Sequence, residues 1–291
     1  MRASRAALGE SAVLRVIASD GAPLFCRRYD PPGAVRGAIV VCPGVRSHSG
    51  WYGWSCRRWA EAGWRVWFAD RRGAGANGGP RGDVRHAERL LTDVRHVLHA
   101  ARRTDPRTPA VLCGISWGGK LAATVAAEPG RCDGVMLLAP GLRAQVRVGR
   151  LRGWFVTTAT ALGGGRAPVR IPLEDPRLFT RDEAFVRFIE RDPLALDAVT
   201  LRFTTASLEL DRRADAAIER LSVPVLTLLA GQDEIVDNPA TRRLLGRCGS
   251  ADATVRLFPA ARHTLEFEPD RAAIFDEATA WLQPLSPERI G

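Results

Sequence analysis

One stretch restricts the choice of folds more than any other: residues 110–120, Ala-Val-Leu-Cys-Gly-Ile-Ser-Trp-Gly-Gly-Lys. Residues 110–113 form a short apolar run suited to a strand buried on both faces, and the Ala-rich residues 121–128 suit a helix. Between them, Gly114-Ile115-Ser116-Trp117-Gly118 has the G-x-S-x-G spacing of a sharp strand-to-helix turn. Small residues two before and two after the serine let strand and helix approach closely, and the turn exposes the hydroxyl at the helix N-terminus. Ser116 is therefore a candidate nucleophile. The plainer alternative is a serine in a Gly-rich turn that binds phosphate. No second Gly-rich fingerprint supports it, and Lys120 comes two residues too late for a Walker lysine.

The rest of the chain repeats the same alternation. Residues 13–17 and 24–29 flank the turn signal Ser19-Asp20-Gly21-Ala22 and read as an antiparallel hairpin at a sheet edge. Strands are then expected at 37–42, 64–69, 110–113, 134–138, 223–230 and 254–258, with helices at 51–62, 87–103, 239–245 and 271–282. Alternation of this kind predicts an α/β fold, a mostly parallel sheet with helices on both faces. At 291 residues the chain is long enough for one such domain with an insertion and needs neither disulfides nor metal to bury a core. The rhythm breaks between residues 138 and 223, where helical patterns continue without a convincing buried strand. We read residues 1–140 and 222–291 as the core and 141–221 as an inserted helical cap.

Within the cap, Val148, Leu151, Phe155, Ala159 and Leu162 share one helical face, and Arg143, Arg147, Arg150 and Trp154 share another. A cap helix packed on the core with solvated arginines is the simpler reading, and transient contact with a membrane surface is the other. Gly163-Gly164-Gly165 ends this helix and suits a hinge.

Charge decides little. The 42 Lys+Arg against 32 Asp+Glu give +10, but Lys120 is the sole lysine and the arginines are scattered. With no run of like charge and no recognition motif, nucleic acid is not expected as a partner. The six cysteines show no C-x-x-C and no regular spacing. With neither a secretory leader nor a bilayer-length apolar run in view, a reduced, cytoplasmic protein, at most peripheral to a membrane, is expected.

A serine hydroxyl becomes a nucleophile when an imidazole, oriented by a carboxylate, takes its proton. In this sheet order both partners should follow the serine, the acid before the base, each just beyond a strand. His48, His86, His96 and His99 precede Ser116, so His263 is the candidate base. The strand at 223–230 runs into Gly231-Gln232-Asp233-Glu234-Ile235-Val236-Asp237. Asp233 is the candidate acid, with Glu234 and Asp237 as alternatives, Asp237 being better placed to cap the next helix. Backbone donors for an oxyanion are expected from Trp117, after the nucleophile, and from Val45 in the loop after residues 37–42, since Pro43 has no N–H. His96, His99 and Asp93 read as a polar helix surface, and neither metal nor cofactor is expected. His48 should stabilise its loop by hydrogen bonding, and Asp70-Arg71-Arg72-Gly73 should fix a loop through ion pairs.

With these residues assembled, the chain resembles the α/β-hydrolase superfamily, and within it the monoacylglycerol lipase and lysophospholipase group. The resemblance runs over residues 24–282 and rests on several segments. Residues 43–52, Pro-Gly-Val-Arg-Ser-His-Ser-Gly-Trp-Tyr, look like the group's oxyanion loop. Residues 68–73 and 78–82 are similar to its D-x-R-G-x-G and G-P-R-G segments. Asp192-Pro193-Leu194 and Gly231-Gln232-Asp233 also fit. It implies a Ser116, Asp233, His263 triad, oxyanion donors at Val45 and Trp117, and a cap over an acyl-binding pocket. The substrate it implies is a small ester or lipid with a hydrophobic acyl part. Pro43 stands where the group usually has histidine, and the bulk of Trp117 is expected to narrow the pocket. A thioesterase, acyltransferase or proline-type aminopeptidase would use the same triad, the last with cap carboxylates such as Glu174, Asp175, Glu183 or Glu190 for a substrate amine. A non-catalytic binding protein on the same fold should lack a triad member, and none is missing.

Overall fold

Six consecutive buried residues, Ala110–Ile115, form the strand on which the sheet is centred. The computed structural model describes residues 12–145, 160 and 163–285. Its strands are β1 (Ala12–Ile17), β2 (Pro23–Tyr29), β3 (Gly37–Cys42), β4 (Trp64–Ala69), β5 (Ala110–Ile115), β6 (Gly134–Leu138), β7 (Pro168–Arg170), β8 (Ala198–Thr200), β9 (Val225–Ala230) and β10 (Ala253–Phe258). The helices are α1 (Gly53–Glu61), α2 (Ala87–Thr104), α3 (Gly118–Ala126), α4 (Glu183–Glu190), α5 (Leu201–Ile218), α6 (Asn238–Leu245) and α7 (Arg271–Leu282).

Eight strands form one sheet in the order β1-β2-β4-β3-β5-β6-β9-β10. The β1–β2 hairpin is antiparallel, β2 meets β4 antiparallel, and every later pair is parallel. From β3 the chain goes to β4 on one side, then returns to place β5 on the other, with Cys42 opposite Gly114. Strand order therefore reverses between β3 and β5, and in an open α/β sheet the crevice beyond such a reversal is where ligands bind. The loop after β3 and the turn holding Ser116 flank it.

The central strands are apolar on both faces because both are covered. Ala38, Val40, Cys42 and Leu112 join one core cluster with Leu90 of α2, Leu121 of α3 and Phe203 of α5. Ile39, Val41, Val111 and Cys113 join the other with Trp59 of α1 and Phe275 of α7. Each fully buried side chain of this size stabilises the fold by about 1.5–3 kcal/mol.

The structure departs from the expected elements in three places. The helix after Ser116 starts at Gly118 rather than residue 121, in spite of two glycines of low helix propensity, because nothing larger fits there. A Cβ on Gly118 would lie 2.1 Å from the Cys42 carbonyl oxygen and 2.5 Å from that of Pro43. Gly118→Ala is therefore expected to cost about 1–3 kcal/mol by forcing backbone apart, and chemical denaturation would measure it.

Within residues 141–221, β7 and β8 pair as a small antiparallel sheet. Three residues each are too few to show an alternating pattern. Finally, α5 connects β6 to β9 and packs its buried face into the core against α3. We therefore propose that the cap is the part of 141–221 preceding Leu201. The amphipathic stretch read from Val148, Leu151, Phe155, Ala159, Leu162, Arg147, Arg150 and Trp154 lies outside the described residues. Arg143 is described and pairs with Asp215 at 2.5 Å. No described helix is long and apolar enough to cross a membrane.

Candidate active site

Ser116 sits between β5 and α3 with φ +50°, in the left-handed region that a non-glycine residue rarely enters. Its surroundings hold it there. The Ser116 amide donates to the Leu138 carbonyl at 2.9 Å, and its own carbonyl accepts from the Gly119 and Gly141 amides at 2.9 and 2.7 Å. Backbone strain persists where the neighbouring structure over-determines it, and here it lifts the hydroxyl out of the sheet.

His263 lies in the loop after β10, five residues beyond Phe258. Its Nε2 is 2.8 Å from Ser116 Oγ, and its Nδ1 is 2.8 Å from Asp233 Oδ2. Asp233 follows β9. Its other oxygen accepts the Ile235 and Val236 amides at 2.8 and 2.9 Å. The Asp233 side chain is fully buried and that of His263 is 3% exposed. Because a carboxylate only accepts, Nδ1 carries the hydrogen and Nε2 presents its lone pair to the serine hydroxyl. The alternatives to Asp233 are engaged elsewhere: Asp237 caps α6 through the Ala240 amide at 2.8 Å, and Glu234 pairs with Arg262.

The loop after β3 passes directly beside the serine. A Cβ on Gly44 would lie 3.3 Å from Ser116 Cβ, so the close approach uses the absence of a side chain. The Gly44 amide donates to Ser47 Oγ at 3.1 Å. Among the described residues, the amides of Val45 and Trp117 have no hydrogen-bond acceptor.

Three further contacts hold this loop to the segment preceding α5. His48 Nε2 donates to Asp192 Oδ2 at 2.8 Å while His48 Nδ1 accepts from the Gly50 amide at 3.0 Å, which sets the tautomer. Trp51 Nε1 donates to the same carboxylate oxygen at 2.6 Å. The Leu196 amide donates to the Arg46 carbonyl at 3.1 Å. Burial raises the Asp192 pKa, but hydrogen bonds from His48, Trp51 and the Leu194 amide outweigh it and hold the carboxyl at about 2. His48 thus takes the loop-stabilising role read from the sequence, with a partner 144 residues away.

Other expectations resolve differently. Arg72 does form ion pairs, with Asp93 at 2.8 Å and Asp20 at 3.1 Å. Asp70 instead accepts the Ser49 and Ala76 amides at 2.7 and 2.8 Å, fixing its loop through backbone. His96 Nδ1 meets the Thr92 carbonyl at 2.9 Å. The Trp117 ring, expected to narrow the pocket, is taken up in the α3–α5 contact. It stacks on Phe203 with centroids 5.3 Å apart and donates from Nε1 to Ser207 at 2.8 Å.

Sequence reasoning missed Phe179, whose ring meets His263 edge-on at 5.9 Å and whose carbonyl accepts the Thr264 amide at 2.9 Å. It also missed Glu266, which accepts the Trp54 amide at 2.8 Å at the start of α1. Burial pushes that carboxyl up to about 7 despite the amide hydrogen bonds. Neither had a signal in the chain, since each is defined by contacts across elements.

A hydroxyl hydrogen-bonded to an imidazole, itself hydrogen-bonded to a buried carboxylate, is equipped for acyl transfer through a covalent intermediate. The family model described as serine aminopeptidase, S33, matches residues 33–270. The chain is 26% identical over 258 residues to a monoacylglycerol lipase of Mycolicibacterium smegmatis, covering 87% of this chain and 90% of that one. It is 27% identical over 271 residues to the Homo sapiens monoglyceride lipase, covering 92% and 89%. Among solved structures, the Paleococcus ferrophilus monoacylglycerol lipase superposes with a TM-score of 0.80 at 24% identity, over 90% of this chain and 99% of that one.

Proposed function

Because the chain belongs to the serine aminopeptidase S33 family and is an α/β-hydrolase of the monoacylglycerol lipase type, we propose that it hydrolyses carboxylic esters with a hydrophobic acyl group through Ser116, His263 and Asp233. The observation that carries this reading is the unbroken chain of hydrogen bonds, 2.8 Å at each link, from Ser116 Oγ through His263 to Asp233. Ser116 Oγ attacks the ester carbonyl carbon as its proton passes to His263 Nε2. The oxyanion takes hydrogen bonds from the Val45 and Trp117 amides, and Asp233 stabilises the imidazolium. Collapse breaks the ester bond, and His263 gives its proton to the departing alcohol. His263 then deprotonates a water that attacks the acyl-serine, releasing the acid and returning the proton to Ser116.

The family's description raises peptide hydrolysis as a second reading; three of the four cap carboxylates that could hold a substrate amine are engaged by other groups, and Glu190 is exposed with no partner among the described residues. An aminopeptidase needs an acidic group for the substrate amine. Glu174 pairs with Arg170 at 2.8 Å, Glu183 with Arg177 at 2.8 Å, and Asp175 accepts the Arg177 amide at 2.9 Å. Asp192 is held by His48 and Trp51.

Turnover of p-nitrophenyl esters from acetate to palmitate, of monoacylglycerols and of amino-acyl p-nitroanilides tests both readings. Esters are expected to exceed the anilides by at least about 100-fold in kcat/KM, since enclosing the substrate ammonium without a partner costs at least about 3 kcal/mol. Faster turnover of the anilides would reverse the assignment.

A further inference from the structure

Arg71 stands at the end of β4 with only 5% of its surface exposed. Its Nη2 donates to the Val45 carbonyl at 3.0 Å and its Nη1 to the Arg72 carbonyl at 3.3 Å. Its guanidinium carbon lies 5.3 Å from the Trp117 ring centre and 4.6 Å from that of Phe203. Arg71 Nε has no hydrogen-bond partner among the described residues. Among the described residues no carboxylate stands within ion-pair distance: the adjacent Asp70 is engaged by the Ser49 and Ala76 amides. Lys120, whose Nζ lies 6.0 Å from the Trp117 ring centre, shows the contrast, since Asp211 neutralises it at 2.5 Å.

A buried, unpaired cation is a costly way to fill space. Replacing buried ionic groups by apolar side chains of similar volume is often neutral or stabilising. Burial first, and the Arg81 charge second, draw the guanidinium down to about 9 against the opposing pull of the Asp70 carboxylate. Packing alone gives no reason for arginine here. Two of its contacts do, because it donates to Val45 and lies against Trp117, the two residues proposed to supply amides to the oxyanion.

We infer that Arg71 is a positioning residue for the oxyanion, tying the Val45 carbonyl and the Trp117 ring into one assembly and holding a buried positive charge behind the loop and turn that carry their amides. This rests on the ester-hydrolase reading above. A charge of that sign, held in a low-dielectric site, favours the negative oxygen of the tetrahedral intermediate over the neutral carbonyl of the substrate. Its effect therefore belongs in kcat rather than KM.

The test compares wild type, Arg71→Met and Arg71→Lys with p-nitrophenyl butyrate, active sites being counted by a fluorophosphonate. Arg71→Met is expected to lose about 10- to 100-fold in kcat per titrated site, in the range of removing or misplacing an oxyanion donor. KM should stay within about threefold, and the melting temperature should be equal to or above wild type. Arg71→Lys, which keeps the charge, should recover much of the rate. Three results would overturn the inference: an unchanged kcat in Arg71→Met, a rise in KM alone, or equal losses in both variants accompanied by lower melting temperatures. A wild type that neither turns over the ester nor takes the label would overturn the hydrolase reading itself. Wild-type turnover matched by Arg71→Met would remove only the role of Arg71.

Discussion

Replacement of Ser116 by alanine is expected to lower ester turnover by about 10⁶-fold, the scale of removing a nucleophile whose base and oxyanion donors remain. No other described hydroxyl meets His263 Nε2, which receives its single hydrogen bond from Ser116 Oγ at 2.8 Å. Stability should barely move. The left-handed backbone at φ +50° is held by the amide and carbonyl of residue 116, not by its side chain. The lost side-chain hydrogen bond contributes only about 0.5–1.5 kcal/mol. Steady-state assays with a fluorophosphonate label, beside a thermal melt, separate the two effects. Retention of more than about one hundredth of wild-type turnover by a folded Ser116→Ala would show that another group attacks the ester.

The second large effect is expected at Asp233. Its Oδ1 accepts two backbone amides and its Oδ2 meets His263 Nδ1. In Asp233→Asn those two amides will keep the remaining carbonyl oxygen, turning the NH₂ toward His263. The imidazole must then accept at Nδ1 and carry its hydrogen on Nε2, where it cannot take the proton of Ser116. A wrong tautomer with intact geometry costs about 10⁴-fold in kcat. Asp237→Asn is the control. Asp237 caps α6 through the Ala240 amide, and asparagine caps comparably, so both rate and stability should be preserved. Asp233→Asn within about tenfold of wild type would require a different acid.

Much of the site could be read from the chain because its signals are local or depend on order. The turn at Ser116 announces itself by an apolar run, two glycines at fixed offsets and an Ala-rich helix. His263 follows by elimination, being the one histidine after the serine. Asp233 follows from its place immediately beyond a buried strand. The structure brings those three into hydrogen-bonding sequence. The short strands Pro168–Arg170 and Ala198–Thr200 were not legible, since three residues carry no period.

Other features depend on which distant elements meet. The pairing of His48 with Asp192 spans 144 residues, and the enclosure of Trp117 joins β4, α3 and α5 through Arg71, Phe203 and Ser207. No residue pattern reports that Arg71 is buried with no ion pair among the described residues while Arg72, beside it, has two. Hydrophobic period and turn chemistry act within a few residues, so the sequence by itself determined the alternating strands and helices, the serine turn and the order of acid and base. Which side chains surround a charge, and which amides are left without partners, depends on how the elements pack, and only the tertiary structure decided it.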